Sequence, residues 1–444
     1  MINLRFLRVA ALLLSSTLAL QSYAQNDSQP TSMSLEECLE YAKENNITLK
    51  KAQLEIENSA SEQISAKGAF LPTISGSVSQ GLSSYPFNES SSLSAANYSG
   101  SYGVDLSMTL YNGGSNRAQL QKSTLGGDIA SLEMEEISNS LEVAITELYV
   151  EILYAIEQIE VAKSSLELSE KSQERGEAFL EVGSINQADY AQLESATASS
   201  KYDIVVAETQ LSSLYIALKQ LLEISGEAEF SIKEIELSDD LLLSQIPTTA
   251  QIYEVALDMR PEIQSSKLYI ESAELDQTIA QAGFLPRLSL TAGTGVNHSS
   301  SSSYAFSSQM RNNFSTSAGL NLSIPIFSGY ANRTNVAIAK NNVKSAELSL
   351  TESEKDLYQT IETLRNNAAN AQAIYSVSEY LLQANLKSLE LTTEQYNVGQ
   401  KSIIELLTEQ DNYNQTCQNY LINKYQLVLN KALLNYYKTN IIKL

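Results

Sequence analysis

The chain has very few of the side chains that carry covalent or metal chemistry. Among its 444 residues are one histidine, His298, and two cysteines, Cys38 and Cys417. One histidine leaves no histidine-based catalytic site or metal cluster to build, and these two cysteines do not form a disulfide framework. We find no nucleophile–base–acid set, phosphate-binding loop or metal-ligand spacing. The sequence therefore predicts that the protein is not an enzyme and needs no cofactor, with His298 in a solvated loop and both cysteines packed as small helix residues.

Long apolar runs are also scarce. The N-terminus has Arg5 and Arg8, an apolar run at 9–20 and small residues in the tripeptide Ser-Tyr-Ala at 22–24. This is the pattern of a secretory signal peptide, so residues 1–24 are predicted to be one, cleaved after Ala24. Beyond it, no run of about 18 apolar residues is long enough for a transmembrane helix. The exported remainder is then either a soluble protein or a β-barrel.

Basic residues are few relative to acids. Lysine and arginine together number 29 against 52 aspartates and glutamates, a formal net charge of −23. Such an acidic surface argues against nucleic acid and anionic lipid as partners. It is compatible with a cavity that attracts cations.

Glycine and proline are missing from two long stretches, 330–398 and 128–175. As one α-helix the first would be roughly 100 Å long, at about 1.5 Å per residue. In each stretch apolar residues recur at every seventh position, which is typical of a coiled coil rather than of a helix in a compact core. The repeating positions are Val336, Val343, Leu350, Leu357, Leu364 and Ala371 in the first stretch, and Leu141, Leu148, Ala155 and Ala162 in the second.

Two halves of the chain repeat one design. Short motifs recur at corresponding places: Phe-Leu-Pro at 70–72 and 284–286, Asn-Arg at 116–117 and 332–333, and Val-Gly at 182–183 and 398–399. The order helix, strand, loop, strand, long helix, break, helix occurs in each half. We therefore divide the mature chain into a first repeat at 25–225, a small irregular connector at 226–249 and a second repeat at 250–444.

Period-two alternation predicts four strands, at about 72–82, 98–111, 286–296 and 314–327. In the second of them, even-numbered residues from Tyr98 to Leu110 are mostly apolar, and the residues between them are small or polar. A strand between lipid and water has this pattern, and so does a strand of a soluble sandwich. The strands alone do not separate these two interpretations. The Ser- and Asn-rich segments between paired strands, 83–97 and 297–313, are predicted to be exposed loops.

If these are membrane strands, one chain cannot complete its sheet. An open sheet edge in lipid leaves backbone groups without hydrogen-bond partners. The smallest common barrels have about eight strands, twice what one chain offers. Copies of the chain must then pool their strands, with about eight from two copies or about twelve, and room for a pore, from three.

The sequence resembles the TolC-like outer-membrane efflux channels over residues 34–440. The resemblance rests on the duplicated Phe-Leu-Pro, on Ser-Ile-Pro-Ile-Phe-Ser-Gly at 323–329 and on Tyr-Asn-Val-Gly at 396–399, in their order and spacing. It implies an α+β membrane protein. This would be a homotrimer whose twelve-stranded outer-membrane β-barrel, four strands per chain, continues into a mixed equatorial region, holding the connector, and a long periplasmic α-helical barrel.

The resemblance implies a function as well. Proteins of this family serve as the exit duct of a tripartite efflux or type I secretion system, passively conducting substrates across the periplasm and the outer membrane. The implied partners are a periplasmic adaptor (membrane fusion) protein and an inner-membrane pump of the RND, ABC or MFS type. Outer-membrane lipid surrounds the barrel, and no nucleic acid is involved.

The same resemblance implies a gate where the long helices turn, at Gly183 and Gly399. In the family a tyrosine before the second glycine bonds to an acid after the first, and a basic residue binds that acid across the boundary between chains. The corresponding residues here are Tyr396, Asp189 and Lys401. The family has arginine at the last position, and lysine lacks the planar fork that makes a bidentate contact.

Two further positions correspond to acids that line the channel in the family, Glu405 and Thr408. Glu405 predicts a ring of carboxylates that favours cations, whereas Thr408 lacks the second charge. Because Lys401 and Glu405 are four residues apart, a plain surface pair on one helix is the alternative to a gate role. For the whole protein the alternative is a non-conducting coiled-coil structural or adhesin protein of the cell envelope, which would explain the seven-residue repeats but not the strands.

Overall fold

The computed structural model describes residues 32–84, 96–225, 230–235 and 242–444. The predicted signal peptide, most of the 83–97 loop and two parts of the connector, 226–229 and 236–241, lie outside these residues. The chain forms two compact units. The first unit comprises Met1–Asn45, Ile145–Leu237 and Leu381–Tyr425; the second comprises Asn46–Ala144, Ser238–Tyr380 and Gln426–Leu444. Each unit takes segments from both halves of the sequence, and the assignment of two repeats stays a prediction.

Helices make up most of the described chain. In order they are α1 (Leu35–Asn45), α2 (Ile47–Gly68), α3 (Ser115–Glu181), α4 (Gln187–Leu221), α5 (Thr249–Met259), α6 (Pro261–Ala282), α7 (Phe306–Asn312), α8 (Ala331–Asn397) and α9 (Ile403–Thr439). Among these described helices, none carries an apolar stretch long enough to cross a membrane.

The two long helices follow from the missing helix breakers. α8 begins and ends within one residue of the 330–398 stretch, so that prediction is confirmed. α3 begins earlier than the predicted residue 128, because it passes through Gly126 and Gly127. Each glycine costs a helix only about 1 kcal/mol, which the rest of this helix outweighs. Every residue of both seven-residue repeats is buried or half-buried, as expected for packing faces.

The helical segment that precedes the first strand in each half of the chain, 35–69 in one and 252–283 in the other, is broken once. The 35–69 stretch breaks at Asn46, whose side chain accepts hydrogen bonds from the N–H groups of Thr48 (2.8 Å) and Leu49 (3.3 Å) and so caps α2. The 252–283 stretch breaks at Arg260, which is extended (φ −77°, ψ 127°) and precedes Pro261. Proline disfavours the helical conformation in the residue before it, which accounts for the break between α5 and α6.

The described strands form two sheets. β1 (Ser32–Met33) and β4 (Ser231–Ile232) make a short parallel pair. The other four form an antiparallel sheet in the order β2-β3-β5-β6. Its strands are β2 (Thr73–Ser84), β3 (Ala96–Asn112), β5 (Arg287–Ser299) and β6 (Ser315–Ser323). β6 stops short of the predicted residue 327, consistent with Pro325, which has no N–H to donate to a ladder.

The register of the four-stranded sheet sorts its residues onto two faces. Leu106 of β3 lies opposite Ile74 of β2 and Ala292 of β5, while Asp105 lies opposite Ser75 and Gly293. Directly opposite residues share a face. We call the side that carries Leu106 the apolar face and the side that carries Asp105 the small-polar face.

His298 does not lie in a solvated loop, so that prediction is wrong. β5 continues past the predicted end at 296, and His298 lies opposite Gly100 on the apolar face with 8% of its surface exposed. A Cβ at Gly100 would lie 2.3 Å from the imidazole Cε1, so glycine is what leaves room for the ring. The 297–313 segment also contains α7 and is not simply an exposed loop.

The first unit ties its N-terminal strand to the connector. Tyr149 of α3 is fully buried, and its hydroxyl donates to the Lys233 carbonyl oxygen at 2.6 Å.

Cys38 and Cys417 are buried helix residues that form no disulfide, which confirms the prediction that both pack as small helix residues. Burial raises the pKa of the Cys38 thiol to about 12, so it stays protonated and unreactive.

The second unit has its own hydrophobic core, formed by α5, α6, α8 and α9. The buried members are Ile252, Ala256, Ile263, Leu357, Ile361, Ala368 and Leu434. Arg260, at the α5–α6 break, is 3% exposed and lies between the rings of Tyr436 and Tyr437, with its Cζ 4.3 and 4.1 Å from their centroids. These cation–π contacts fix the break against α9.

Two glycines of α3 should respond oppositely to replacement by alanine. A Cβ at Gly176 would lie 2.1 Å from Cδ1 of Leu193, which is 1% exposed, whereas a Cβ at Gly126 would meet nothing within 4 Å. Overpacking costs about 1–3 kcal/mol, and relief from glycine gains a helix about 1 kcal/mol. We expect Gly176→Ala to lower the thermal unfolding temperature and the matched control Gly126→Ala to raise it. Equal shifts for the two variants would contradict the close α3–α4 packing.

Candidate functional site at the helix tips

Both long helices end in the same turn. Gly183 after α3 and Gly399 after α8 have positive φ angles of 71° and 73°. The N–H of Gly183 donates to the Leu180 carbonyl oxygen at 3.0 Å, and the next N–H, of Ser184, reaches back to Phe179 at 2.8 Å. Gly399 and Gln400 repeat these two bonds, at 3.0 and 2.9 Å. This is the Schellman arrangement, in which glycine supplies the left-handed conformation at no steric cost.

The helices that leave the two turns are capped differently. Asn186 caps α4 by accepting the N–H of Asp189 at 2.9 Å. Ser402 caps α9 through a reciprocal pair: the Ser402 N–H donates to Glu405 Oε2 at 2.9 Å, and the Glu405 N–H donates to Ser402 Oγ at 3.3 Å. Ser-x-x-Glu is the capping-box spacing. The backbone of both tips is thus satisfied locally.

Tyr396, in the last turn of α8, belongs to the hydrophobic cluster between the tips. It is 5% exposed and packs with the buried residues Leu193, Leu389, Ile403 and Leu406. The ring of Phe179 meets its ring edge-on, with centroids 5.8 Å apart. Its position is therefore set by packing on α3, α4 and α9 together.

The hydroxyl of Tyr396 is buried without a hydrogen-bond partner among the described residues. Burial and, next, the negative charge of Asp189 raise the pKa of Tyr396, so the hydroxyl keeps its proton. The Oδ1 atom of the following residue, Asn397, is likewise buried and unpaired in the described chain. An unsatisfied buried polar group costs about 1–3 kcal/mol. The tip therefore has one hydrogen-bond donor, the Tyr396 hydroxyl, and one acceptor, the Asn397 amide oxygen, that are buried and unpaired in the described chain.

Lys401, one residue before the N-cap of α9, pairs with Glu405 in the first turn of that helix rather than with Asp189. The Lys401 Nζ lies 2.5 Å from Glu405 Oε1. The local pair given as the alternative in the sequence analysis is therefore formed. The Lys401 ammonium, together with the N–H and hydroxyl of Ser402, lowers the pKa of Glu405 to about 2. Thr408, one turn further on, donates its hydroxyl to the Ile404 carbonyl oxygen at 2.7 Å.

A cavity of about 490 Å³ opens between the two tips. Its lining includes Tyr396, Asp189 and Lys401, the three residues predicted for the gate, and Gly399. The structure thus brings the three to one cavity, although no hydrogen bond joins them within the described chain. Glu405 and Thr408 are not part of this lining.

Sequence reasoning missed several residues at this site. Phe179, which orients Tyr396, and Asn397, whose amide oxygen is unpaired, have no sequence signal of their own. Ser402 did have one, because it precedes Glu405 at the capping-box spacing. Across the described residues, no group of three or more histidine, cysteine or acidic side chains is arranged to hold a metal ion.

The family model for outer membrane efflux proteins matches residues 38–223 and 252–435. The chain belongs to this outer membrane efflux protein family, and its location is the outer membrane.

Curated relatives are distant in sequence. The outer membrane protein TolC of Escherichia coli is 24% identical over 302 residues, covering 63% of this chain. That match spans 58% of the E. coli protein, so less than two thirds of it is represented. The TolC of Vibrio cholerae is 22% identical over 377 residues, covering 84% of this chain and 83% of that protein.

A solved structure supports the fold. The crystal structure of CusC, described in terms of folding and transmembrane channel formation, superposes with a TM-score of 0.78. The superposition covers 91% of each chain at 20% sequence identity. At this identity the likeness establishes the fold and leaves the activity to be argued from the residues.

The Glu405 contacts predict how the α9 N-terminus responds to acid. Because the pKa of Glu405 falls from 4.5 to about 2 in the folded chain, its stabilising contribution is complete above pH 4.5 and is lost as the pH falls towards 2. We expect the amides of 402–406 to keep their hydrogen-exchange protection, after correction for intrinsic rates, well below pH 4.5. Glu405→Gln should reduce that protection and abolish its acid dependence.

Lys401→Ala is the matched partner variant, since it removes the largest cause of the shift. It should move the acid transition upwards towards the ordinary glutamate value. A wild-type transition already centred near 4.5 would show that the Lys401–Glu405 contact does not hold in solution.

Proposed function

We propose that three copies of this chain form the exit duct of an efflux or secretion system, a gated channel through which substrates pass passively. The observation that carries the proposal is the four-stranded sheet with two open edges and one apolar face. Membership of the outer membrane efflux protein family supports it.

The sheet cannot remain as it is in lipid. Its edge strands β2 and β6 each pair on one side only within the described chain. Exposed apolar side chains on it include Val78 at 72%, Leu82 at 75% and Leu320 at 68%. Lipid cannot satisfy the free backbone groups of an edge. Pairing β6 of one copy with β2 of the next removes every edge, and three copies give about twelve strands and an open lumen.

The two faces then acquire their roles. The apolar face lies against lipid, and the small-polar face, where Asp105 stands among serine, glycine and threonine, lines the lumen. The strands lead into the helices: β3 ends at Asn112 and α3 begins at Ser115. Helices of about 100 Å then continue the duct through the periplasm as an α-barrel. At its far end an adaptor protein and an inner-membrane pump of the RND, ABC or MFS type complete the assembly.

The gate that we propose uses the unpaired hydroxyl of Tyr396 at the helix tips. In the closed duct the Tyr396 hydroxyl donates to the Asp189 carboxylate, which satisfies the buried donor. The Lys401 ammonium, which has three donors, keeps its contact with Glu405 and also binds the Asp189 of a neighbouring copy. Glu405 faces the channel with Thr408 one turn beyond and gives the pore its preference for cations.

Reconstitution in planar bilayers tests the duct and the gate together. The wild-type protein should form a cation-preferring pore that is mostly closed. Loss of the hydrogen bond and of the ion pair, each worth about 1 kcal/mol, should shift the closed–open equilibrium roughly thirtyfold. We therefore expect Tyr396→Phe combined with Lys401→Ala to raise the mean conductance by that factor.

A matched double variant serves as the control. Tyr380→Phe changes a tyrosine of the same helix that is 79% exposed. Lys171→Ala removes an exposed ion pair between residues four apart, in which the Lys171 Nζ lies 2.6 Å from Glu167 Oε1. These changes should leave the conductance unaltered. Absence of conductance from well-folded trimer would refute the duct and favour a structural protein of the envelope. Equal conductance in both double variants would refute the gate alone.

A further inference from the structure

α7 is fixed along β5 at the loop end of the four-stranded sheet. Gln309 accepts the Ser299 N–H at 2.9 Å and donates to the Ser299 carbonyl oxygen at 3.1 Å. Asn313 donates to the Asn297 carbonyl oxygen at 2.8 Å. Because β6 pairs with β5 only as far as Gly295, these side chains satisfy the part of the β5 edge that β6 leaves open.

Phe306, the first residue of α7, covers a polar ring on the apolar face. Its ring meets the His298 imidazole edge-on, with centroids 4.9 Å apart. His298 in turn stacks on Tyr102 at 6.0 Å and lies tilted against Tyr98 at 5.6 Å. The His298 Nδ1 is buried and has no hydrogen-bond partner in the described chain. Exposing the unpaired imidazole nitrogen to acyl chains would cost free energy, because hydrocarbon offers no hydrogen-bond partner.

Polarity changes in order along this end of the sheet. Towards the middle of the strands the apolar face exposes aliphatic residues such as Val78. At the level of α7 it carries aromatic residues, with Phe306 55% exposed and Phe314 62% exposed. On the same helix Ser307, Ser308 and Arg311 are exposed. A change from aliphatic residues to a mixture of aromatic, polar and cationic residues is typical of the boundary between acyl chains and headgroups.

We propose that α7 is a lipid-contacting element at the outer boundary of the bilayer. Phe306 lies where the acyl chains meet the headgroups and shields His298 from the hydrocarbon, while Arg311 lies among the headgroups. The exposed apolar ring of Phe306, inserted at the acyl boundary, holds the sheet at that depth. This inference rests on the proposed function, which sets the apolar face against lipid.

The absence of tryptophan from the chain makes the test direct, because any introduced tryptophan is the sole indole. Phe306→Trp is reconstituted in phosphatidylcholine vesicles whose acyl chains carry bromine, either near the headgroup or near the chain end. Val78→Trp and Ser79→Trp, adjacent residues on opposite faces of β2, are the references. Phe306→Trp should lose roughly half its emission or more, and lose more with bromine near the headgroup. Val78→Trp should be quenched, and Ser79→Trp should not.

The references separate the two ways of failing. If Val78→Trp is not quenched, the apolar face does not meet lipid, and the proposed function falls together with this inference. If Val78→Trp is quenched but Phe306→Trp emits as in water and is not quenched, α7 does not touch lipid and this inference alone is overturned. Met310→Trp, one turn along α7, gives the same two results should Phe306→Trp fail to assemble.

Discussion

The free hydrogen-bonding groups along β2 and β6 are the constraint on which the rest of the structure depends. In the described chain each of these strands pairs on one side only. The sheet that they border has one apolar face, whose side chains are exposed. Water could form hydrogen bonds with the backbone groups of these edges, but contact between water and the apolar face is unfavourable. Lipid is a favourable environment for the apolar face but cannot form hydrogen bonds with the backbone groups. The proposed pairing between copies would meet both demands. Since β3 runs into α3 and β6 leads to α8, joining the sheets of several copies also joins their long helices.

Hydrogen bonding at the helix tips follows a different logic. Gly183, Gly399, Asn186 and Ser402 satisfy the backbone within each turn, so the tips are complete without a partner. What remains is the buried hydroxyl of Tyr396 and the amide oxygen of Asn397. Lys401, by contrast, already has Glu405. On a change of state the Tyr396 hydroxyl can gain a hydrogen bond, whereas Lys401 must share its ammonium with a carboxylate that it already contacts.

The sequence predicted what depends on local order. The 330–398 stretch predicted α8 to within one residue because the absence of glycine and proline acts locally. The Lys401–Glu405 pair was predicted from its four-residue spacing, which also brings the two side chains together across the helix N-cap. His298 was misplaced because its burial depends on Gly100, which lies on another strand and leaves room for the ring. The break at Arg260 was not predicted, although Pro261 is a local signal for it. The tip cavity, with Phe179 against Tyr396, arises from packing between helices that no local pattern encodes.

Amide hydrogen exchange along β2 and β6 in the detergent-purified protein tests the central claim most directly. In an edge strand alternate N–H groups point away from the ladder and exchange freely, whereas in a strand paired on both sides consecutive groups are protected. Pairing between copies predicts slow exchange at consecutive residues of both Thr73–Ser84 and Ser315–Ser323. Fast exchange at every second residue of these strands would mean that the edges are open and that the chain does not close a barrel with its copies.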